Sequence, residues 1–226
     1  MGAGGRLTSN GRARLRAEKA FLKRAQRPHE RLEGATDETL NCCLRPHERS
    51  KTNNLTVLAG IGLLLGLTVY GGFWRESCAS GEPKDLDMLV WVRADVFRDF
   101  AQHLAALLRN RAIELGFESD GDLEMHPPPK PDHPPVSASI RFRYGETILH
   151  VDLSSVDVLD GIDFDVNAMW MHGPTRRLEL RGDVGLTLEE LIAKCKEKKF
   201  SLIKPMSANK MGQRVVKLMV RGWSLV

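Results

Sequence analysis

Cysteine is scarce in this sequence and poorly placed for chemistry of its own. Its four copies, Cys42, Cys43, Cys78 and Cys195, show no zinc-ligand spacing. Adjacent Cys42 and Cys43 are badly placed to bridge one another. These facts exclude a zinc module and a disulfide-built scaffold, leaving reduced thiols as the simplest reading. Residues 1–30 lack the apolar stretch of a secretory leader, so an intracellular protein, cytoplasmic or nuclear, is expected. Met1-Gly2 opens like a myristoylation signal, but Arg6 stands where that signal needs Ser or Thr. A strong excess of one charge is also missing. The net charge of +4 permits an anionic partner but does not identify one.

What is present suits a folded domain. Apolar residues make up 42% of the chain, ordinary for a protein with a real core. A length of 226 residues fits one domain with an appendage. Three parts are expected: a basic arm over 1–50, a catalytic-type domain over 51–185, and a helical segment over 186–226. In the arm, Arg12, Arg14, Arg16, Lys19, Lys23, Arg24 and Arg27 are clustered. Such a segment reads as a solvated leader, with RNA binding through phosphate over 12–27 as the alternative.

The run from Leu55 to Trp74 carries no charge and is long enough to span a bilayer. Gly60, Gly62, Gly66, Gly71 and Gly72 interrupt it, Asn53 and Asn54 offer a helix cap, and Leu67–Tyr70 has β character. The favoured expectation is a buried helix from about Leu55 to Leu65, then a strand into Gly71. A membrane anchor at 55–74 is the rival. Further on, Arg93–Leu115 reads as a helix with Val96, Phe97, Phe100, Leu104, Leu107 and Leu108 as its apolar stripe. Val136–Tyr144 and Glu146–Leu153 read as a hairpin about Gly145. His126–Pro135 is a proline-rich connection, and its two histidines are too isolated to claim a metal. Helices are expected over Thr187–Lys198 and Ser207–Arg221. The second carries Lys210, Arg214, Lys217 and Arg221 on one face. That face is either solvated, opposite a Val215-Leu218-Met219 core, or a phosphate-tracking strip over 210–221 for RNA or tRNA.

The chemistry concentrates in Tyr70-Gly71-Gly72-Phe73-Trp74-Arg75-Glu76, followed by Lys84-Asp85-Leu86-Asp87-Met88. On a strand, Asp85 and Asp87 aim to one face while Leu86 and Met88 enter the core. Paired carboxylates are costly unless a cation neutralises them. Hard ions such as Mg²⁺ favour such oxygen sites, completed by substrate phosphates. A third acid, Asp152, sits in the strand-like run Thr147–Leu153.

Apolar-Gly-Gly, a short loop, Asp-apolar-Asp, then a distant apolar-Asp-apolar resembles the polymerase-β-like nucleotidyltransferases. Gly71-Gly72-Phe73-Trp74-Arg75-Glu76, Gly81 and Asp85-Leu86-Asp87 are similar to the head domain of bacterial-type poly(A) polymerases and class II CCA-adding enzymes. Asp163-Phe164-Asp165-Val166-Asn167-Ala168 resembles that group's next motif, Arg-Arg-Asp-Phe-Thr-Ile-Asn-Ala. The resemblance covers roughly residues 55–172. It implies an α/β (α+β) nucleotidyltransferase fold, with a small mixed sheet and flanking helices. It also implies Mg²⁺- or Mn²⁺-dependent transfer of a nucleoside monophosphate from an NTP such as ATP, releasing pyrophosphate. Asp85, Asp87 and Asp152 would be the catalytic metal ligands. Gly71, Gly72 and Arg75 would hold the triphosphate, the glycines because no Cβ blocks the approach of phosphate to backbone. Asp163 and Asn167 would contact the sugar or brace the sheet, and Arg75 could instead pair with Glu76 or Glu82. The acceptor expected by analogy is an RNA 3′ end.

Departures from the pattern matter as well. Glu76 replaces an Asp, Gly161-Ile162 replace two nucleotide-holding arginines, and the later Glu-Asp-x-x-Arg motif is absent. Neck, body and tail regions are not seen. A non-catalytic nucleotide- or RNA-binding protein of the same fold is therefore the second expectation.

Overall fold

The computed structural model describes residues 51–127, 136–156, 163–182, 184–203 and 208–226, with only the backbone of 208–211. The basic arm over 1–50, most of the proline-rich connection, and Gly161-Ile162 lie outside the described residues. Every described residue belongs to one compact unit, Arg45–Val226.

The uncharged run is divided rather than continuous. Helix α1 spans Lys51–Leu64, the chain turns at Gly66 with φ 84°, and strand β1 follows at Thr68–Tyr70. α1 is apolar on nearly all sides, as a helix enclosed by its neighbours must be. Leu55, Leu58 and Ile61 are buried. Asn53 and Asn54, expected as a cap, lie within the helix, Asn54 buried. Among the described residues, no helix is long and apolar enough to cross a membrane.

After β1 come a short helix α2, Gly72–Cys78, strand β2, Asp85–Val90, and helix α3, Ala94–Glu114. Strands β3, Glu118–Ser119, and β4, Glu124–Met125, flank the hairpin of β5, Ser137–Tyr144, and β6, Thr147–Ser155. Gly145 makes that hairpin's turn with φ 58°, a conformation that favours glycine. Strands β7, Met169–His172, and β8, Leu178–Leu180, complete the large sheet. Its order is β3-β5-β6-β2-β1-β7-β8, with β4 also on β5. β2 and β6 are parallel; the other neighbours are antiparallel. The fold is α/β with a mixed sheet and flanking helices.

Alternation along the strands divides the sheet into two unlike faces. One face carries Val69, Leu86, Met88, Ala138, Ile140, Phe142, Val151 and Leu153, all with no exposed surface. α1 and α3 cover it. α3 meets it with Phe97, Leu104 and Leu108, and alanines 101, 105 and 112 fill the remaining close approach. Val96, expected in the stripe, is 36% exposed. Each large side chain sealed here contributes about 1.5–3 kcal/mol. That burial fixes the register, because a slip of one residue would put the carboxylates into the core.

A second core lies beside the sheet. Helix α4, Leu188–Lys196, starts at Thr187 with a reciprocal capping box to Glu190. Strand β9, Lys199–Phe200, helix α5, Ala208–Met219, and strand β10, Ser224–Leu225, follow. Phe164, Val166, Met169, Leu191, Cys195, Phe200, Leu218 and Trp223 pack together there. Of the expected α5 core, Leu218 is buried, Val215 is partly covered, and Met219 is 55% exposed. Cys78 and Cys195 are free thiols, and burial pushes that of Cys195 up to about 12.

Candidate active site on the open face of the sheet

The opposite face of the sheet carries the acids. β2 and β6 run parallel in a register that places Asp85 beside His150 and Asp87 beside Asp152. Ser139 of β5 pairs with Asp152, and Tyr70 of β1 pairs with Asp87. One row therefore reads Ser139, Asp152, Asp87, Tyr70, with Asp85 one step along β2. The three carboxylates expected from sequence thus share a face and adjoin one another.

Their electrostatics follow from crowding. Asp87 is pushed up to about 7, first by loss of water and then by the charges of Asp85 and Asp152. Arg75 and Lys217 pull it the other way. Tyr70 is raised to about 12, mainly by burial, with Asp87 adding to the shift. Among the described residues no salt bridge neutralises Asp85, Asp87 or Asp152. Like charges held together in this way favour a bound cation.

All-oxygen donors suit a hard divalent ion. Their grouping on one face and the raised Asp87 show that the residues present fit such an ion by type and by charge. The side chains are not drawn into a closed shell, however. Among the described residues, no three His, Cys, Asp or Glu side chains form a ready metal-ligand group. Ser139 Oγ donates to Asp152 Oδ1 and holds that oxygen toward β5. Ser139 Oγ also lies 2.7 Å from His126 Nε2.

The glycine turn sits over these acids. Gly71 has φ 73° and ψ −131°, where a side chain is strained. A methyl group there would come 3.6 Å from Asp87 Oδ2. The Gly71 N–H donates to Met169 O at 3.0 Å, which ties the turn to β7. Gly72 begins α2, a helix of only seven residues.

Arg75, Asp163 and Asn167 are joined to one another. Arg75 is 7% exposed. Its Nε and Nη2 donate to Glu76 Oε1 at 3.1 and 2.8 Å, and its Nη1 donates to Asn167 Oδ1 at 2.6 Å. Asn167 Nδ2 donates to Asp163 Oδ1 at 3.1 Å, and Arg214 Nη1 pairs with Asp163 Oδ2. Arg221 Nη1 donates to Glu76 Oε1 at 3.3 Å. Trp223 closes the network, its ring 5.5 Å from Arg75 Cζ. Two cations of the expected 210–221 strip, Arg214 on α5 and Arg221 just past it, are thus tied to acids of the domain, and the charge of a third, Lys217, reaches Asp87.

The sequence reading gave no role to Tyr70, Ser139 or Arg181. The hairpin turn could have located Ser139, since equal steps back from Tyr144 and forward from Thr147 pair it with Asp152. Tyr70 precedes Gly71 by one residue and follows from strand alternation. Arg181, whose charge acts on Tyr70, follows β8 and has no motif to announce it.

No protein-family model matches the sequence, and no curated protein matches it. Solved structures resemble parts of it at low identity. A CCA-adding enzyme in its apo form is 19% identical with a TM-score of 0.45, over 79% of this chain and 39% of that one. The Thermotoga maritima CCA-adding enzyme complexed with tRNA is 18% identical with a TM-score of 0.47, over 82% and 42%. A CCA-adding enzyme with CTP is 19% identical with a TM-score of 0.46, over 82% and 43%. This chain spans about two fifths of the length of those proteins.

Proposed function

We propose that this protein is a metal-dependent nucleotidyltransferase that moves a nucleoside monophosphate from an NTP to a hydroxyl, with an RNA 3′ end as the acceptor. The observation that carries this reading is the register of β2 against β6. It sets Asp87 beside Asp152 on one half-buried face, with Asp85 one step away and a turn above that only glycine adopts freely. Asp85, Asp87 and Asp152 would hold Mg²⁺ or Mn²⁺. When bound, such ions stabilise charge on attacking and leaving oxygens.

The chain's own residues do the rest. Ser139 orients Asp152, and Tyr70 walls the row on the β1 side. The lack of a side chain at Gly71 leaves room for phosphate against the backbone, and the Arg75 guanidinium fills the space beside Gly72. Lys217 and Arg181 bring positive charge to the same rim, where a triphosphate needs it. Arg75, Asp163 and Asn167 support the turn from behind through their shared hydrogen bonds.

The test is incubation of the protein with Mg²⁺ or Mn²⁺, each labelled NTP and a mixed RNA pool. Label passing to RNA with release of pyrophosphate is the expected result. Its persistence in Asp85→Ala/Asp87→Ala would defeat the assignment. A second reading is a non-catalytic nucleotide- or RNA-binding protein, favoured by the internal pairing of Arg75, Asp163 and Asn167. It expects saturable nucleotide binding with no pyrophosphate released at any metal concentration.

A further inference from the structure

Beyond Tyr70, the open face holds a group of rings that the carboxylate chemistry does not use. Tyr70 pairs with Asp87 on one side and Trp170 on the other, and Thr68 pairs with His172. Trp170 and His172 therefore share the face of the acids. Trp91, just past the end of β2, follows the same alternation as Asp85 and Asp87. The three rings touch: centroids are 6.1 Å apart for Trp91 and Trp170, 5.5 Å for Trp91 and His172, and 4.4 Å for Trp170 and His172.

One hydroxyl pins the group. Trp91 Nε1 donates to Thr68 Oγ1 at 2.8 Å, and Thr68 Oγ1 lies 2.8 Å from His172 Nδ1. The hydroxyl oxygen thus joins the indole of Trp91 to the ring of His172, the direction of the second bond following from the imidazole tautomer. Thr68 is wholly buried beneath the rings, yet Trp91 is 44% exposed. Trp170 and His172 are partly buried. Trp170 Nε1 is enclosed and has no hydrogen-bond partner among the described residues. A cluster built only for stability would seal its rings.

Building on the transferase reading above, we infer that Trp91, Trp170 and His172 form a stacking platform for an unpaired nucleobase. Every base has a π-face, and exposed aromatic rings bind such faces with little regard to sequence. Trp170 lies two strands from Asp87, about 10 Å at ~4.8 Å per strand. That is the span of one nucleotide from its reacting end to its base. The base comes from the acceptor's last nucleotide or from the incoming NTP.

The test uses the full chain in EDTA, where no transfer occurs. The probes are a short single-stranded RNA with 2-aminopurine at its 3′ end and, separately, 2-aminopurine riboside triphosphate. Saturable quenching is expected. Quenching of the RNA assigns the platform to the acceptor, and quenching of the triphosphate assigns it to the donor. Trp91→Ala should bind about 5- to 100-fold more weakly, and Trp91→Phe close to the parent. His172→Ala, read in the same way, serves if Trp91→Ala fails to fold. Absence of quenching with both probes overturns the platform, as does unchanged binding in a folded alanine variant. Ring-dependent binding without pyrophosphate release in Mg²⁺ keeps the platform and removes the transferase reading. Release without ring-dependent binding does the reverse.

Discussion

Two sets of buried or half-buried acids lie within one domain, and they are treated in opposite ways. Glu76, Asp163 and Asp165 are each matched by cations. Glu76 takes Arg75 and Arg221, Asp163 takes Arg214, and Asp165 takes Lys194 at 2.5 Å. Asp165 also accepts from Val166 N and Ser201 N, both at 2.8 Å. Asp85, Asp87 and Asp152 face one another instead, with cations only at a distance. The first set clamps the second core to the sheet. The second is a concentration of negative charge that the protein tolerates on its open face. Local pairing, rather than acidity or burial, separates the structural carboxylates from the candidate catalytic ones.

The sharpest way to break this contrast is to remove acids from the unpaired set. Asp85→Ala/Asp87→Ala should lower metal-dependent pyrophosphate release by about a thousandfold or more, the several kcal/mol that metal binding contributes. Its thermal unfolding should not fall well below that of the parent, because the repulsion among the acids is removed with them. Activity retained within tenfold would show that these acids are merely solvated. Asp165→Ala should do the opposite. Unpairing Lys194 and two backbone donors costs about 3–5 kcal/mol, which urea denaturation would register as a lower midpoint. An unchanged midpoint would remove Asp165 from the clamp.

A smaller effect concerns pH. The folded-state value of Asp87 lies near 7, above its ordinary 3.8, so folding favours the protonated carboxyl. That contribution is complete below 3.8 and is lost as pH rises through about 7. Asp87→Asn should therefore unfold a few degrees higher than the parent at a pH of about 8, each kcal/mol being worth roughly 2–4 °C. The gap should close toward a pH of about 4, and Mg²⁺ should narrow it by stabilising the parent alone. A gap independent of pH would mean that neither burial nor its neighbours' charge raises Asp87. The smallest effect is expected for Arg214→Ala. Arg214 is 53% exposed, so the loss should be about 0–1 kcal/mol, near the resolution of chemical denaturation. A loss as large as that for Asp165→Ala would place Arg214 among the principal clamps.

Much of this was legible in the residues because period-two alternation and glycine placement are local properties. Asp85 and Asp87 on one face, the hairpin at Gly145, and the broken apolar run all follow from short stretches of chain, whereas Asp152 joins the pair only through the β2–β6 register. The capped helix after Thr187 was legible for the same reason. The roles of Arg75, Asp163 and Asn167 were not, because hydrogen-bond partners far apart in sequence decide them. Arg75 meets Asn167, and Asp163 meets Arg214, only once the second core has formed. Asp165, the most completely satisfied acid of the group, has no signal of its own in the run Asp163–Ala168, because its partners Lys194 and Ser201 lie far along the chain. The ring cluster at Trp91, Trp170 and His172 was invisible because it joins two strands through the hydroxyl of a third.

The parallel pairing of β2 with β6 has a consequence for how the site comes into being. Antiparallel neighbours can close through a tight turn, whereas β2 reaches β6 only after the chain has passed through α3, β3, β4 and β5. Contacts so distant along the chain form slowly, because loop closure must be met before pairing is rewarded. The acids from the two strands should therefore meet late in folding, after helix signals have already developed. Stopped-flow refolding with a cation-sensitive probe would detect that lag, and simultaneous appearance of the two signals would deny it.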